Sequence, residues 1–101
     1  MYVVIYKFEV TQGQEPQFKK AWAKLTKAFM EHASSLGSRL HTDKNGDFIA
    51  YAQWPDEETF VQSKSRLPKY AMELGPQMEA LCISISIIHR LNVTMDFLKR
   101  G

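Results

Sequence analysis

The chain has 101 residues, 45% hydrophobic and 24% charged, with a formal net charge of +2. Such a chain builds one domain around one modest core, expected over residues 1–101, and its charge is too small to imply a nucleic-acid partner. A single cysteine, Cys82, excludes an internal disulfide and favours a reducing compartment. No apolar run approaches the ~20 residues that span a bilayer, and Met1–Ile5 lack the basic region of a secretory signal. A cytoplasmic protein without a membrane partner is expected.

Tyr2 to Val10 reads as a strand. Tyr2, Val4, Tyr6, Phe8 and Val10 share one wholly apolar or aromatic face. Val3, Ile5, Lys7 and Glu9 share the other, which turns polar only near its end. Gly13 marks a turn, and Pro16 suits the first turn of a helix, where its missing N–H does no harm. That helix is predicted from Pro16 to about Ser34, because Phe18, Trp22, Leu25 and Phe29 recur at helical spacing. Trp22 at this spacing reads as core. The lysines on the opposite face, Lys20, Lys24 and Lys27, read as a solvated surface rather than an anion site. Gly37 is the predicted C-terminal cap.

A short strand follows over Ser38–Asp43, with Leu40 facing one way and Arg39 and His41 the other. Asn45-Gly46 between two strand patterns predicts a type I′ hairpin turn, which needs positive φ at both central residues. The third strand, Phe48–Trp54, is rich in aromatics and ends at Pro55, which cannot donate to a sheet ladder. Asp56 is an N-cap, and Glu57 and Glu58 complement the dipole of the helix that starts there. Trp54 therefore sits at a sheet edge where a helix departs, a position suited to lining a pocket. Pro68 and Gly75-Pro76 are expected to interrupt the second helical region, which reads as a cover over a cavity.

The last strand is predicted over Leu81–Val93. Ile83, Ile85 and Ile87 alternate with Cys82, Ser84 and Ser86, and an unbroken alternation places His89 on the isoleucine face and Arg90 on the serine face. Residues 93–101 form a tail whose Met95, Phe97 and Leu98 need an apolar partner. The element order gives an α+β, ferredoxin-like βαββαβ fold with an antiparallel sheet. Both faces of its first strand are apolar, so the face without helices is expected to meet a second copy, making a homodimer whose tail reaches the partner.

These residues resemble the antibiotic biosynthesis monooxygenase (ABM) domains, dimeric α/β-barrel proteins. The resemblance rests on the opening strand with Gly13 and Phe18, and on Ala50-Tyr51-Ala52-Gln53-Trp54 running into Asp56-Glu57-Glu58-Thr59-Phe60. It implies cofactor-free oxygenation of a small aromatic, quinol-like substrate, which needs hydrogen-bond donors for a phenolate in a dry chamber. In a polyketide-quinone member of the family the strand Trp is accompanied by an Asn four residues before it and a Tyr six residues after it. Trp54 matches, and the other two positions hold Ala50 and Phe60. Haem-degrading relatives use a first-strand Asn, a helical Trp and a following His. Those positions fall around Tyr6 and Ser63, with no histidine between His41 and His89, so no haem or other cofactor is expected.

The candidate catalytic residues are Trp54, Tyr51 and His89. Candidate substrate contacts are Ala50, Phe60 and Tyr6, with Arg39, His41 and Tyr70 as further donors. For the tyrosines the alternative is a core residue with a satisfied hydroxyl. For Arg39 and His41 it is the solvated surface, and for His89 a structurally bonded histidine. The three histidines and Cys82 lack metal-ligand spacing, and no glycine-rich loop precedes a helix in phosphate-binding form. Two functions fit: a cofactor-independent monooxygenase, and a non-catalytic small-molecule-binding protein using the same cavity.

Overall fold

The computed structural model describes residues 1–99. Strand β1 (Tyr2–Val10) leads into helix α1 (Glu15–His32), then strands β2 (Gly37–Thr42) and β3 (Phe48–Trp54). Helix α2 (Glu57–Val61) follows. Two single 3₁₀ turns, Lys64–Arg66 and Lys69–Ala71, lead into helix α3 (Leu74–Glu79) and strand β4 (Cys82–Asn92). The sheet runs β2-β3-β1-β4, and every neighbouring pair is antiparallel. This is the α+β ferredoxin-like arrangement that the element order predicts. Among the described residues no helix is long and apolar enough to cross a membrane.

The helices cover one face of the sheet. Phe18 of α1 is fully buried, its ring 5.0 Å from both Phe8 on β1 and Phe48 on β3. One aromatic thus clamps the helix to two adjacent strands. A second cluster joins Tyr2, Val4, Ala52 and Trp54 to Ala33 at the end of α1. A third seats Leu67 and Ala71, from the segment between α2 and α3, on Ala28 of α1. That segment has little regular structure, so these contacts hold it over the sheet.

Four local expectations change. Ser34, not Gly37, takes the left-handed conformation that ends α1, at φ 62°; the N–H of Ser35 then reaches back to the carbonyl of Phe29 (3.2 Å). Gly37 has φ 107° and opens β2. The β2–β3 hairpin forms, but only Gly46 has positive φ, so its turn is not type I′. Asp43 explains this: its carbonyl accepts from Gly46 N–H (3.1 Å), and its Oδ1 accepts from Asn45 N–H (2.9 Å) and Asp47 N–H (3.0 Å). These bonds support a three-residue loop with Gly46 in the left-handed position. Gly75 and Pro76 lie inside the first turn of α3, where a proline N–H would have no helical partner.

The fourth change bears on function. Ile5 pairs with His89 and Tyr6 with Ile87, so Ile88 is an unpaired bulge residue. A bulge reverses the alternation of faces beyond it. Ile85 and Ile87 face the helices with Phe8 and Tyr6, whereas His89 and Leu91 face away with Ile5 and Val3. Arg90, opposite Val4, turns inward. His89 is therefore not on the face of Ile85 and Ile87. A second bulge at Ile83, between the Glu9–Ser84 and Val10–Cys82 pairs, leaves Ile83 exposed.

Candidate functional site

On its inner face β3 presents Phe48, Ala50, Ala52 and Trp54. Two alanines between two large aromatics leave a hollow under the helices. A cavity of about 830 Å³ occupies it, within the size range of small-molecule sites. Its walls are Tyr6 and Ala50 from the sheet, Trp22 and Phe29 from α1, Trp54 and Phe60 at one end, and Met78 at the other.

Trp54 is 3% exposed. Its ring meets Phe29 edge-on at 5.8 Å and Phe60 at 5.6 Å. The Trp54 Nε1–H is buried and has no hydrogen-bond partner. Leaving a buried donor unsatisfied costs about 1–3 kcal/mol, and such groups are rare enough to need a reason. Phe60 is placed over Trp54 by the start of α2. Asp56 Oδ1 accepts from Thr59 N–H (2.8 Å) and Thr59 Oγ1–H (2.7 Å). These bonds hold the Asp56 carboxyl below its ordinary range. Tyr2 O–H also donates to Glu57 Oε2 (3.2 Å), tying α2 to β1.

Tyr6, Ser38 and Arg90 are the polar residues that line the cavity from the sheet. Tyr6 lies opposite Ala50 and Ile87. Burial pushes its hydroxyl up to about 12, while the nearby Arg90 pulls the other way. Tyr6 therefore remains an O–H donor at any working pH. Arg90, delivered by the Ile88 bulge, lies 5.3 Å from the centre of the Phe60 ring and lines the cavity. Lys64 adds a second cation to the wall. The chamber is thus largely apolar, lined by the Trp54 ring and Tyr6, with positive charge at Arg90 and Lys64 and negative charge at Glu79.

The sequence candidates divide cleanly. Trp54, Ala50, Phe60 and Tyr6 come together around the cavity. Tyr51, Arg39 and His89 lie on the opposite face of the sheet and do not line it. Tyr51 O–H donates to Gln53 Oε1 (3.0 Å). His41 is on that face too, its Nδ1 3.0 Å from the carbonyl of Ile49. Tyr70 is exposed, its hydroxyl bonded to His32 Nε2 (3.1 Å). Alternation places Tyr51 opposite to Trp54, so that separation was readable in the sequence; the cavity's inner position was not. Arg90, Lys64 and Glu79 are the charged cavity residues that the sequence reading missed. The doublet Ile87-Ile88, where strict alternation fails, was the available signal for Arg90. Among the described residues no cluster of three His, Cys, Asp or Glu side chains forms a metal site. Burial, with Glu79 nearby, raises the Cys82 thiol, which points to the carbonyl of Met78 (3.5 Å).

The burial of Tyr6 has a measurable consequence. Its raised pKa favours the folded state fully below pH 10, and the contribution is lost as pH rises from 10 towards 12. In an ultraviolet titration of the four tyrosines, one should ionise about two pH units late. Tyr6→Phe should remove that late step. A late step that persists in the variant would assign it to another tyrosine.

The pattern of the family described as antibiotic biosynthesis monooxygenase matches residues 1–66. The fold is similar to that of SnoaB, a cofactor-independent oxygenase from Streptomyces nogalater, with a TM-score of 0.75 and 13% identity over 97% of each chain. It is also similar to PA3566 from Pseudomonas aeruginosa, with a TM-score of 0.71 and 18% identity over 93% of this chain and 94% of that one. Rv0793 from Mycobacterium tuberculosis has a TM-score of 0.75 at 8% identity, over 96% of this chain and 98% of that one. No protein of curated function matches the chain.

Proposed function

Because this chain belongs to the antibiotic biosynthesis monooxygenase family, we propose that it is a cofactor-independent monooxygenase acting on a small phenolic or quinol-like aromatic in the cavity beneath α1 and α2. The observation that carries this reading is the buried, unpartnered indole N–H of Trp54, whose ring lines the cavity. A phenolate oxygen bound there accepts that hydrogen bond. Arg90 and Lys64 favour the anion, so the phenolic proton leaves to water. The electron-rich phenolate then supplies the electrons for dioxygen itself. A phenol with hydrogen para to its hydroxyl becomes a quinone: one oxygen atom joins that carbon and the other leaves in water. The protein positions the substrate, stabilises its anion and excludes bulk water.

The sheet face that carries no helices presents Val3, Ile5, Ile49, Tyr51 and Leu91. These apolar side chains, set among Arg39, His41 and His89 on the same face, support a homodimer, sheet against sheet.

A second reading, a binding protein without turnover, is favoured by Ala50 and Phe60, which make the Trp54 end of the cavity less polar. Oxygen uptake with a panel of phenols and hydroquinones separates the two. The monooxygenase reading expects turnover above the uncatalysed rate with at least one of them. Binding of panel members to a folded protein without turnover, and none gained on Ala50→Asn with Phe60→Tyr, would instead support the binding protein.

A further inference from the structure

One cross-strand row on the outer face of the sheet is fixed by register. Arg39 on β2 lies opposite Tyr51 on β3, Tyr51 opposite Ile5 on β1, and Ile5 opposite His89 on β4. The row thus carries a cation at one edge of the sheet and an imidazole at the other. His89 reaches this face only through the Ile88 bulge. His41, Ile49 and Lys7 form the next row. Arg39, His41 and His89 are all exposed in the single chain.

The remaining charged groups that the strands present on this face are few. Lys7 pairs with Asp47 of the β2–β3 turn (3.5 Å), and Glu9 accepts from Ser84 Oγ–H (3.1 Å). The other outward residues of β4 near His89 are Ser84, Ser86 and Leu91, without charge.

Resting on the homodimer reading above, we propose that His41 and His89 make the dimer pH-sensitive, so that it holds near neutral pH and separates as the two imidazoles take up protons in mild acid. Three arguments support it. First, symmetry brings cation to cation. For two sheets packed with aligned strands, a two-fold axis along the strands, through the middle of the sheet, lays β2 of each subunit over β4 of the other. Because Arg39 and His89 share a row, that axis sets Arg39 over the partner's His89. An axis across the strands, along the row, sets His89 over the partner's His89 instead. Second, protonation of both histidines adds two positive charges to each face. That face already carries Arg39 and Lys7, with Glu9 as the one strand carboxylate on it. Third, imidazole is the side chain whose charge changes between pH 5 and 8, and packing the sheets together takes water from the rings, which disfavours their charged form. The sign follows by linkage: association disfavours the imidazolium, so protonation disfavours association. The dimer is tightest above the imidazole range and weakens below it.

The test is sedimentation of the whole chain from pH 7.5 to pH 5.5 at fixed ionic strength, with circular dichroism at each pH. The wild type is run beside His41→Gln with His89→Gln, and beside His89→Gln alone. The expected result is a wild-type dimer at micromolar concentration at pH 7.5 whose Kd rises at least ~10-fold by pH 5.5, since like charges set against each other oppose association. The double variant should stay dimeric throughout, and the single variant should lose part of the response. Added salt should shrink the wild-type response by screening it. A wild-type dimer equally tight at both pH values would overturn the switch and leave the dimer standing. A response that persists in the double variant, or that coincides with loss of the wild-type circular dichroism, would assign it to other groups or to unfolding and overturn the proposal. A folded monomer at pH 7.5 would overturn the dimer reading, and this proposal with it.

Discussion

Trp54→Phe is expected to lower oxygenation of whichever phenol the wild type turns over by about 10²–10³-fold, mostly in kcat. Removing one positioned donor from a developing oxyanion has effects of that size. The substitution keeps an aromatic ring near Phe29 and Phe60 while deleting the N–H. Folding stability should change little, because two terms oppose. The smaller ring leaves a void, and removing an unsatisfied buried donor relieves about 1–3 kcal/mol. The measurement is steady-state oxygen uptake beside a melting curve. Unchanged turnover in a folded Trp54→Phe protein would remove the indole from the mechanism and, with it, the main support for the oxygenase reading. A loss that appears only in KM would make Trp54 a binding contact rather than a stabiliser of the anion.

The second large effect is structural. Phe18→Ala should destabilise the fold by about 3–5 kcal/mol, the range for truncating a buried aromatic. Phe18 is fully buried and touches Phe8 and Phe48 on two different strands, so neither strand can close the void without leaving the other. A domain of this size holds about 5–15 kcal/mol in total, and its Tm falls by ~4–8 °C per kcal/mol. A drop of at least about 12 °C is therefore expected by calorimetry. A shift under 5 °C would mean that α1 settles onto the sheet around the missing ring. Trp22→Phe, on the same helix but at a half-buried position lining the cavity, should cost less.

Local signals specified most of the architecture. The period of two in Tyr2–Val10 and Phe48–Trp54, and the helical spacing of Phe18, Trp22, Leu25 and Phe29, each fix which side chains share a face without long-range knowledge. Asp56 as an N-cap is similarly local, because its acceptor reaches an N–H only three residues ahead. From these signals follow the element order, the shared face of Ala50 and Trp54, and the departure of α2 beside Trp54. Family membership was legible for the same reason, since its pattern lies within the first two thirds of the chain.

Other features depended on pairing with distant residues. The side chains of Asp43 and Asn45 permit several turns, and the bonds closed across β2 and β3 selected the one with positive φ at Gly46 alone. In β4 the alternation of isoleucine and serine says nothing about where a neighbouring strand skips a residue. The match of β1 to β4 places bulges at Ile83 and Ile88, and the second exchanges the faces of His89 and Arg90. The lining of the cavity turns on that exchange: His89, expected on the isoleucine face, lies on the far side of the sheet, and Arg90 stands over Phe60 instead. A strand's side-chain period is a property of its own backbone, whereas its register belongs to the pair. Inner and outer residues could therefore be read strand by strand until pairing inserted one residue too many.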